Sequence, residues 1–225
     1  MEKVIRMSFR TVIVSALLAF ALQAGAQYYD FTAMAPGGQT LYCMISGENV
    51  TLVNPFSTEG RPGSNHVSGD LVIPDSVRYI QDNDTLTLAV TSMYYSAFRY
   101  CDSLTSVVLP NTMTNIAYCA FGDCYNLVSV TIGNAVTSIG AWAFSGCFAL
   151  RVLSVPESVT SIGSGAFNAL RYVEYYGSAA GAPWNAVAMN GFKEGDFAYA
   201  DSARNYLLAY IGSGGDVSVP SPARK

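Results

Sequence analysis

The residues of this chain that could do chemistry are few and far apart. His66 is the only histidine, no Cys-x-x-C accompanies it, and no Gly-x-Ser-x-Gly, phosphate-loop or dinucleotide fingerprint occurs, so neither a zinc set nor a nucleophilic triad nor a phosphate cradle can be assembled. Asp82-Asn83-Asp84 gathers two carboxylates and an amide. Three adjacent residues do not supply the six or more oxygens of a calcium loop, and the triplet reads as a turn. Paired carboxylates would be needed for glycoside hydrolysis, so their placement depends on the elements that carry them.

Those elements are set by a repeat. Residues 105–127 (TSVVLPNTMTNIAYCAFGDCYNL), 128–150 (VSVTIGNAVTSIGAWAFSGCFAL) and the shorter 151–170 (RVLSVPESVTSIGSGAFNAL) are copies of one phrase. Ala-Phe recurs at Ala97/Phe98, Ala120/Phe121, Ala143/Phe144 and Ala166/Phe167, each 23 residues after the last, with Cys101, Cys124 and Cys147 in the same step. A fixed period over several units is the mark of a repeat solenoid, in which no unit buries its apolar face alone and stacking builds one core.

Within a unit, Val107/Leu109, Val130/Ile132 and Leu153/Val155 alternate with Ser106/Val108, Ser129/Thr131 and Val152/Ser154, the period-2 pattern of a strand with one buried face. Met113/Ile116, Val136/Ile139 and Val159/Ile162 make a second short apolar pair. Ala-Phe, Cys and Leu follow at i, i+1, i+4 and i+7, which fits one or two helical turns. The expected fold is a mostly β solenoid with a parallel strand ladder of about five strands and short helical turns. On that ladder the outward carboxylates are Asp70 and Glu174, four strand steps or roughly 19 Å apart, too far for a catalytic pair. The chain therefore reads as non-enzymatic, with no cofactor and no metal.

The phrases LTSVVLPNTMTNI, AFGDC, VTSIGAWAFSGC and SVPESVTSIGSGAF resemble the BspA-type leucine-rich repeats of bacterial surface and secreted proteins, closely over residues 69–177. The resemblance implies a leucine-rich repeat fold. It also implies a role in adhesion, with a protein or glycan on host, matrix or neighbouring cells as partner.

Around the array, residues 1–26 combine Lys3, Arg6 and Arg10, an apolar run at 11–22 and Ala24-Gly25-Ala26, the pattern of a secretory signal peptide. Twelve residues are too few to span a bilayer comfortably, and no later stretch is apolar enough. Removing 1–26 takes away three basic groups and one acidic group and moves the net charge from −4 to −6, which argues against nucleic acid as a partner. Residues 27–70 read as an N-terminal β cap and loop, with strands at 31–34, 41–45 and 50–53 and a loop over 54–68. The array occupies 71–177 and carries an inserted hairpin around residue 83.

Residues 178–225 read as a further hairpin module, around 201–205, and the start of another repeat. That layout leaves the alternative of a structural spacer or a truncated copy of a larger surface protein. Stacked cysteines about 5 Å apart could be bridged. The core position favours buried thiols, and the states of Cys43 and Cys119 stay open.

The candidate binding surface is the outward strand face: Ser106, Ser129, Thr131 and Ser154, with Tyr172, Glu174 and Tyr176 at one end, since exposed tyrosines bring contact area at low entropy cost. The alternative is a plain soluble β-surface whose tyrosines pack against residues 178–215.

Overall fold

A computed structural model of the chain describes residues 29–54, 57–58, 61–62, 67–81, 84–182, 184–186, 188–190, 192–194, 197–199 and 207–210. The leader expected at 1–26, His66, Asp82-Asn83 and the chain beyond Tyr210 lie outside the described residues.

The chain begins with an antiparallel meander, β1 (Phe31–Met34), β2 (Thr40–Ser46) and β3 (Asn49–Val53), close to the expected bounds. The expected loop that follows contains a small antiparallel pair, β4 (Ser57–Thr58) and β5 (Arg61–Pro62). The first repeat strand, β6 (Gly69–Val72), is then followed by the hairpin of β7 (Ser76–Gln81) and β8 (Asp84–Met93), which pairs Gln81 with Asp84. β3 lies parallel to β8, so the meander and hairpin form one five-stranded sheet in the order β1-β2-β3-β8-β7. Of the two apolar pairs that could continue the repeat here, Val90 and Met93 are buried whereas Ile80 is exposed. The hairpin is therefore the insertion, and the end of β8 belongs to the array.

The array alternates two kinds of short strand. β9 (Leu104–Val108), β11 (Ser129–Thr131), β13 (Val152–Ser154) and β15 (Tyr172–Glu174) carry the alternating pattern. β10 (Asn115–Ile116), β12 (Ser138–Ile139) and β14 (Ser161–Ile162) carry the second apolar pair. Neighbours run parallel with a register offset of one repeat: Val107 faces Val130, Ile116 faces Ile139 and Ile139 faces Ile162. β9 and β13 are followed two residues on by Pro110 and Pro156, which lack an N–H for the ladder, while β11 ends at the same repeat position before Gly133. A threonine row reinforces the second kind: the Oγ1 atoms of Thr114, Thr137 and Thr160 donate to the carbonyls of Thr91, Thr114 and Thr137 at 3.3, 3.1 and 3.4 Å.

The expected single ladder of about five strands is instead two sheets of three. β6, β9 and β11 form one, and β13, β15 and β16 (Ala188–Met189) the other. β11 and β13 are neighbours in space but belong to separate sheets; nothing in their residues explains the break. Beyond them β17 (Phe192–Glu194), β18 (Phe197–Tyr199) and β19 (Leu207–Tyr210) form an antiparallel sheet. β18 and β19 are the expected hairpin, and β17 is an addition to it.

The expected helical turns do not form; no helix occurs among the described residues. The Ala-Phe segments are runs of tight turns, for a reason visible in their N–H groups. Alternate residues bond within the turn, as Ala120 to Ala117 and Gly122 to Cys119, while those between reach the next repeat, as Cys119 to Ala141, Phe121 to Ala143 and Asp123 to Ser145. An α-helix would claim the N–H groups beyond its first turn and so could not send alternate ones to the next repeat. The backbone meets this demand with two left-handed residues per turn, also 23 apart: Ser96, Cys119, Trp142 and Gly165 at the first position, and Tyr100, Asp123, Gly146 and Ala169 at the second.

The core is one column. Phe98, Phe121 and Phe144 stack with centroids 5.3 and 5.5 Å apart and planes within 6° and 4°, and Phe167 continues the stack at 6.4 Å. Trp184 ends it, edge-on to both Phe167 and Tyr175. The five cysteines are all buried free thiols. Cys124 and Cys147 donate to the carbonyls of Phe98 and Phe121 at 3.0 and 3.1 Å. Burial pushes the Cys43 and Cys147 thiols up to about 12. At pH 7 both are neutral and act as small apolar groups.

Candidate binding surface

Register brings the outward residues of the strands into two rows. Asp70, Ser106 and Ser129 face one another across β6, β9 and β11, as do Val72, Val108 and Thr131. Ser154 faces Glu174 across β13 and β15. Ser129, Thr131 and Ser154 are exposed, and Ser106 and Glu174 are partly so. Asp70 is the fixed point of this face, because its Oδ1 accepts from Ser106 Oγ at 2.6 Å and Thr105 Oγ1 at 2.9 Å. Those hydrogen bonds, Ser106's first, hold its carboxyl below the ordinary value.

The tyrosine end differs from the expectation. Tyr172 is fully buried rather than outward, on a strand that pairs with β13 on one side and β16 on the other, whereas Glu174, two residues on, is partly exposed. Tyr176 is 63% exposed and remains available as a contact residue. Tyr175 is buried as expected, donates its hydroxyl to the Val159 carbonyl and accepts from the Ala179 N–H.

A second surface went unremarked in the strand pattern. Tyr94, Tyr95, Tyr118, Tyr125, Trp142 and Phe148 all lie on the turn segments of three consecutive repeats, and each exposes two-fifths or more of its area. Tyr125 and Phe148 hold one repeat position, directly after Cys124 and Cys147, and stack with centroids 5.9 Å apart and planes within 10°. Trp142 seats its indole over Gly165, where a Cβ would lie 3.1 Å from the ring. Between these rings Arg99 lies over Tyr100 at 4.5 Å and donates through Nε and Nη2 to Asp123 Oδ2 at 3.1 and 2.9 Å. The sequence signal of this surface is the recurrence of large rings beside the Ala-Phe and Cys positions.

Neither surface carries a catalytic constellation, and no metal-holding group of His, Cys, Asp or Glu occurs among the described residues. No helix among them is long and apolar enough to cross a membrane.

Residues 85–177 match the family model of the BspA type leucine rich repeat region in six copies. A leucine-rich repeat protein from Bacteroides ovatus is similar at a TM-score of 0.51 and 23% identity, over 72% of this chain, which spans 38% of that protein's length. A leucine-rich repeat protein from Bacteroides capillosus is similar at 0.48 and 25%, over 66% of this chain and 100% of that one. A leucine rich cell surface protein from Faecalibacterium prausnitzii is similar at 0.42 and 19%, over 72% and 51%. No curated protein matches. The 23-residue register, the phenylalanine column and the matched repeats agree: the fold is a leucine-rich repeat fold, and residues 85–177 are similar to the BspA type leucine rich repeat region.

Proposed function

We propose that this chain is a non-enzymatic bacterial binding module, secreted or held at the cell surface, that engages a protein on host, matrix or neighbouring cells. In this reading the stacked repeats act as one solenoid over residues 71–177, capped by the modules at 27–70 and 178–225, and residues 1–26 are removed on export. The observation that carries it is the outward strand face. Ser129, Thr131 and Ser154 stand exposed, and Ser106 and Glu174 partly so, on strands held in register by parallel pairing, with exposed Tyr176 just past the end of β15. A face so poor in charge binds through shape and contact area, and its affinity changes little with salt.

The test is surface-based binding of the chain from residue 27 against purified extracellular matrix proteins, with Thr131→Arg and Tyr176→Ser beside the parent. Both substitutions are expected to weaken binding without lowering the urea midpoint. A chain that binds none of the proteins, or variants that bind as the parent does, would refute the assignment and favour a spacer role.

A further inference from the structure

We infer that the turn edge is a second binding surface, separate from the strand face, and that its ligand is an uncharged polysaccharide of hexose units. Exposed rings are the first ground. Contiguous apolar surface open to water marks interaction sites, and this fold does not need it here. The fourth turn has Ser164 and Gly165 where the second has Tyr118 and Cys119 and the third Ala141 and Trp142, yet the same stacking bonds form, Trp142 N–H to Ser164 and Phe144 N–H to Ala166.

Geometry and charge decide the ligand. A hexose has C–H-rich faces that stack on aromatic rings and a rim of hydroxyls that both donate and accept. Tyr125 and Phe148, one repeat apart with centroids 5.9 Å apart, stack on each other and form one aromatic cluster against which a sugar face can pack. Polar groups sit among them: Asp123 and Arg99 as a fixed pair with side chains 26% and 29% exposed, exposed Asp102, and Asn126, whose Nδ2 donates to the Asp102 carbonyl at 2.7 Å. Sugar hydroxyls satisfy such groups. A protein hot spot would instead have to desolvate them around its anchors. Charge points the same way. Arg99 pairs with Asp123, and Asp102 stands exposed one repeat before Tyr125. An acidic glycan or a nucleic acid would meet no positive field there.

Native affinity electrophoresis of the chain from residue 27 in gels carrying soluble β-glucan, glucomannan or galactomannan tests the inference. At least one polysaccharide is expected to retard the parent, equally at low and high salt. Trp142→Ala and the double variant Tyr125→Ala/Phe148→Ala should each raise the dissociation constant about tenfold or more, with Thr131→Arg on the strand face unchanged. Urea midpoints establish that the variants are folded, and the second edge variant decides the matter should the first not fold. No retardation by any of the three, retardation equal in parent and edge variants, or loss only with Thr131→Arg would overturn it. So would a protein ligand that shields the edge rings in place of a glycan. Retardation without binding to any matrix protein would support the edge while refuting the strand-face reading.

Discussion

Phe121→Ala is the perturbation that the phenylalanine column answers most directly. Phe121 is fully buried and stacked on both sides, 5.3 Å from Phe98 and 5.5 Å from Phe144. Truncating a buried Phe costs about 3–5 kcal/mol, depending on how far the site collapses. Collapse is opposed here because stacking bonds hold the turns on either side at fixed spacing, Phe98 N–H to Ala120 and Phe121 N–H to Ala143, both at 2.9 Å. The loss is therefore expected near 5 kcal/mol. Phe167 sits at the looser end, 6.4 Å and 24° from Phe144, and its truncation should cost about 3 kcal/mol. Urea unfolding of the chain from residue 27, followed by far-ultraviolet circular dichroism, reads both. Because 5 kcal/mol is a large share of a domain's stability, Phe121→Leu, expected at about 1–2 kcal/mol, keeps the series measurable. Ser129→Ala, on the exposed face, should change stability by less than about 0.5 kcal/mol. A cost below about 1.5 kcal/mol for Phe121→Ala, or equal costs for Phe121 and Ser129, would show that the column is not what holds the repeats together.

Trp184→Ala removes the edge contacts to Phe167 and Tyr175 and the indole N–H bond to the Ala180 carbonyl, so hydrogen exchange should speed up over residues 159–175 while residues 97–121 keep their protection. Uniform acceleration would mean that Trp184 is not a local cap. At one left-handed position two substitutions should act with opposite sign. Gly146→Ala, at φ 76° with Asp123 Oδ1 2.6 Å from the new Cβ, should destabilise by about 1–2 kcal/mol, whereas Ala169→Gly, at φ 83°, should stabilise by up to about 1 kcal/mol. The same sign for both would remove the backbone account. Asp70 has its folded pKa below the ordinary 3.8, so the folded chain binds fewer protons than the unfolded one. Its contribution is present above that value and lost as pH falls through the lower folded value. Asp70→Asn should therefore flatten the fall of the urea midpoint below pH 3.8, and parallel curves for parent and variant would count against it.

Much of this was written in the spacing of particular residues. Val107 and Leu153, buried, and Val130, partly buried against the core, gave inward strand positions because alternation within a strand is local. The strands of the first meander came out within a residue or two for the same reason. The helical turn failed because Ala-Phe, Cys and Leu at i, i+1, i+4 and i+7 record which side chains point inward and nothing about where the N–H groups go. Two left-handed residues four apart can present the same side chains. Tyr172 failed because alternation tells which residues share a face of β15 and not whether that face is covered: Tyr172 is buried while Glu174, on the same face, is partly exposed. The turn edge was legible in part: Tyr125 and Phe148 share a repeat position, but no spacing rule tells an exposed ring from a core ring.

The left-handed positions separate what the fold requires from what the chain adds. Glycine adopts such a backbone without penalty, and Gly146 and Gly165 show that the stacking bonds form around it. A residue with a Cβ costs roughly 1–2 kcal/mol more in the same conformation. Yet six of these eight positions carry one, at Ser96, Tyr100, Cys119, Asp123, Trp142 and Ala169. In three of them the side chain has a definite surface task. Asp123 fixes the Arg99 guanidinium, Tyr100 lies beneath that same guanidinium, and Trp142 covers Gly165. In the first three turns that cost falls in part on Tyr100, Asp123 and Trp142, whose side chains stand on the turn edge, whereas in the fourth Gly165 avoids it and Ala169 bears it with only a methyl group. A scaffold shaped by folding alone would tend to the glycine solution in every turn. The departures at Tyr100, Asp123 and Trp142 are the ones that the inferred edge site accounts for.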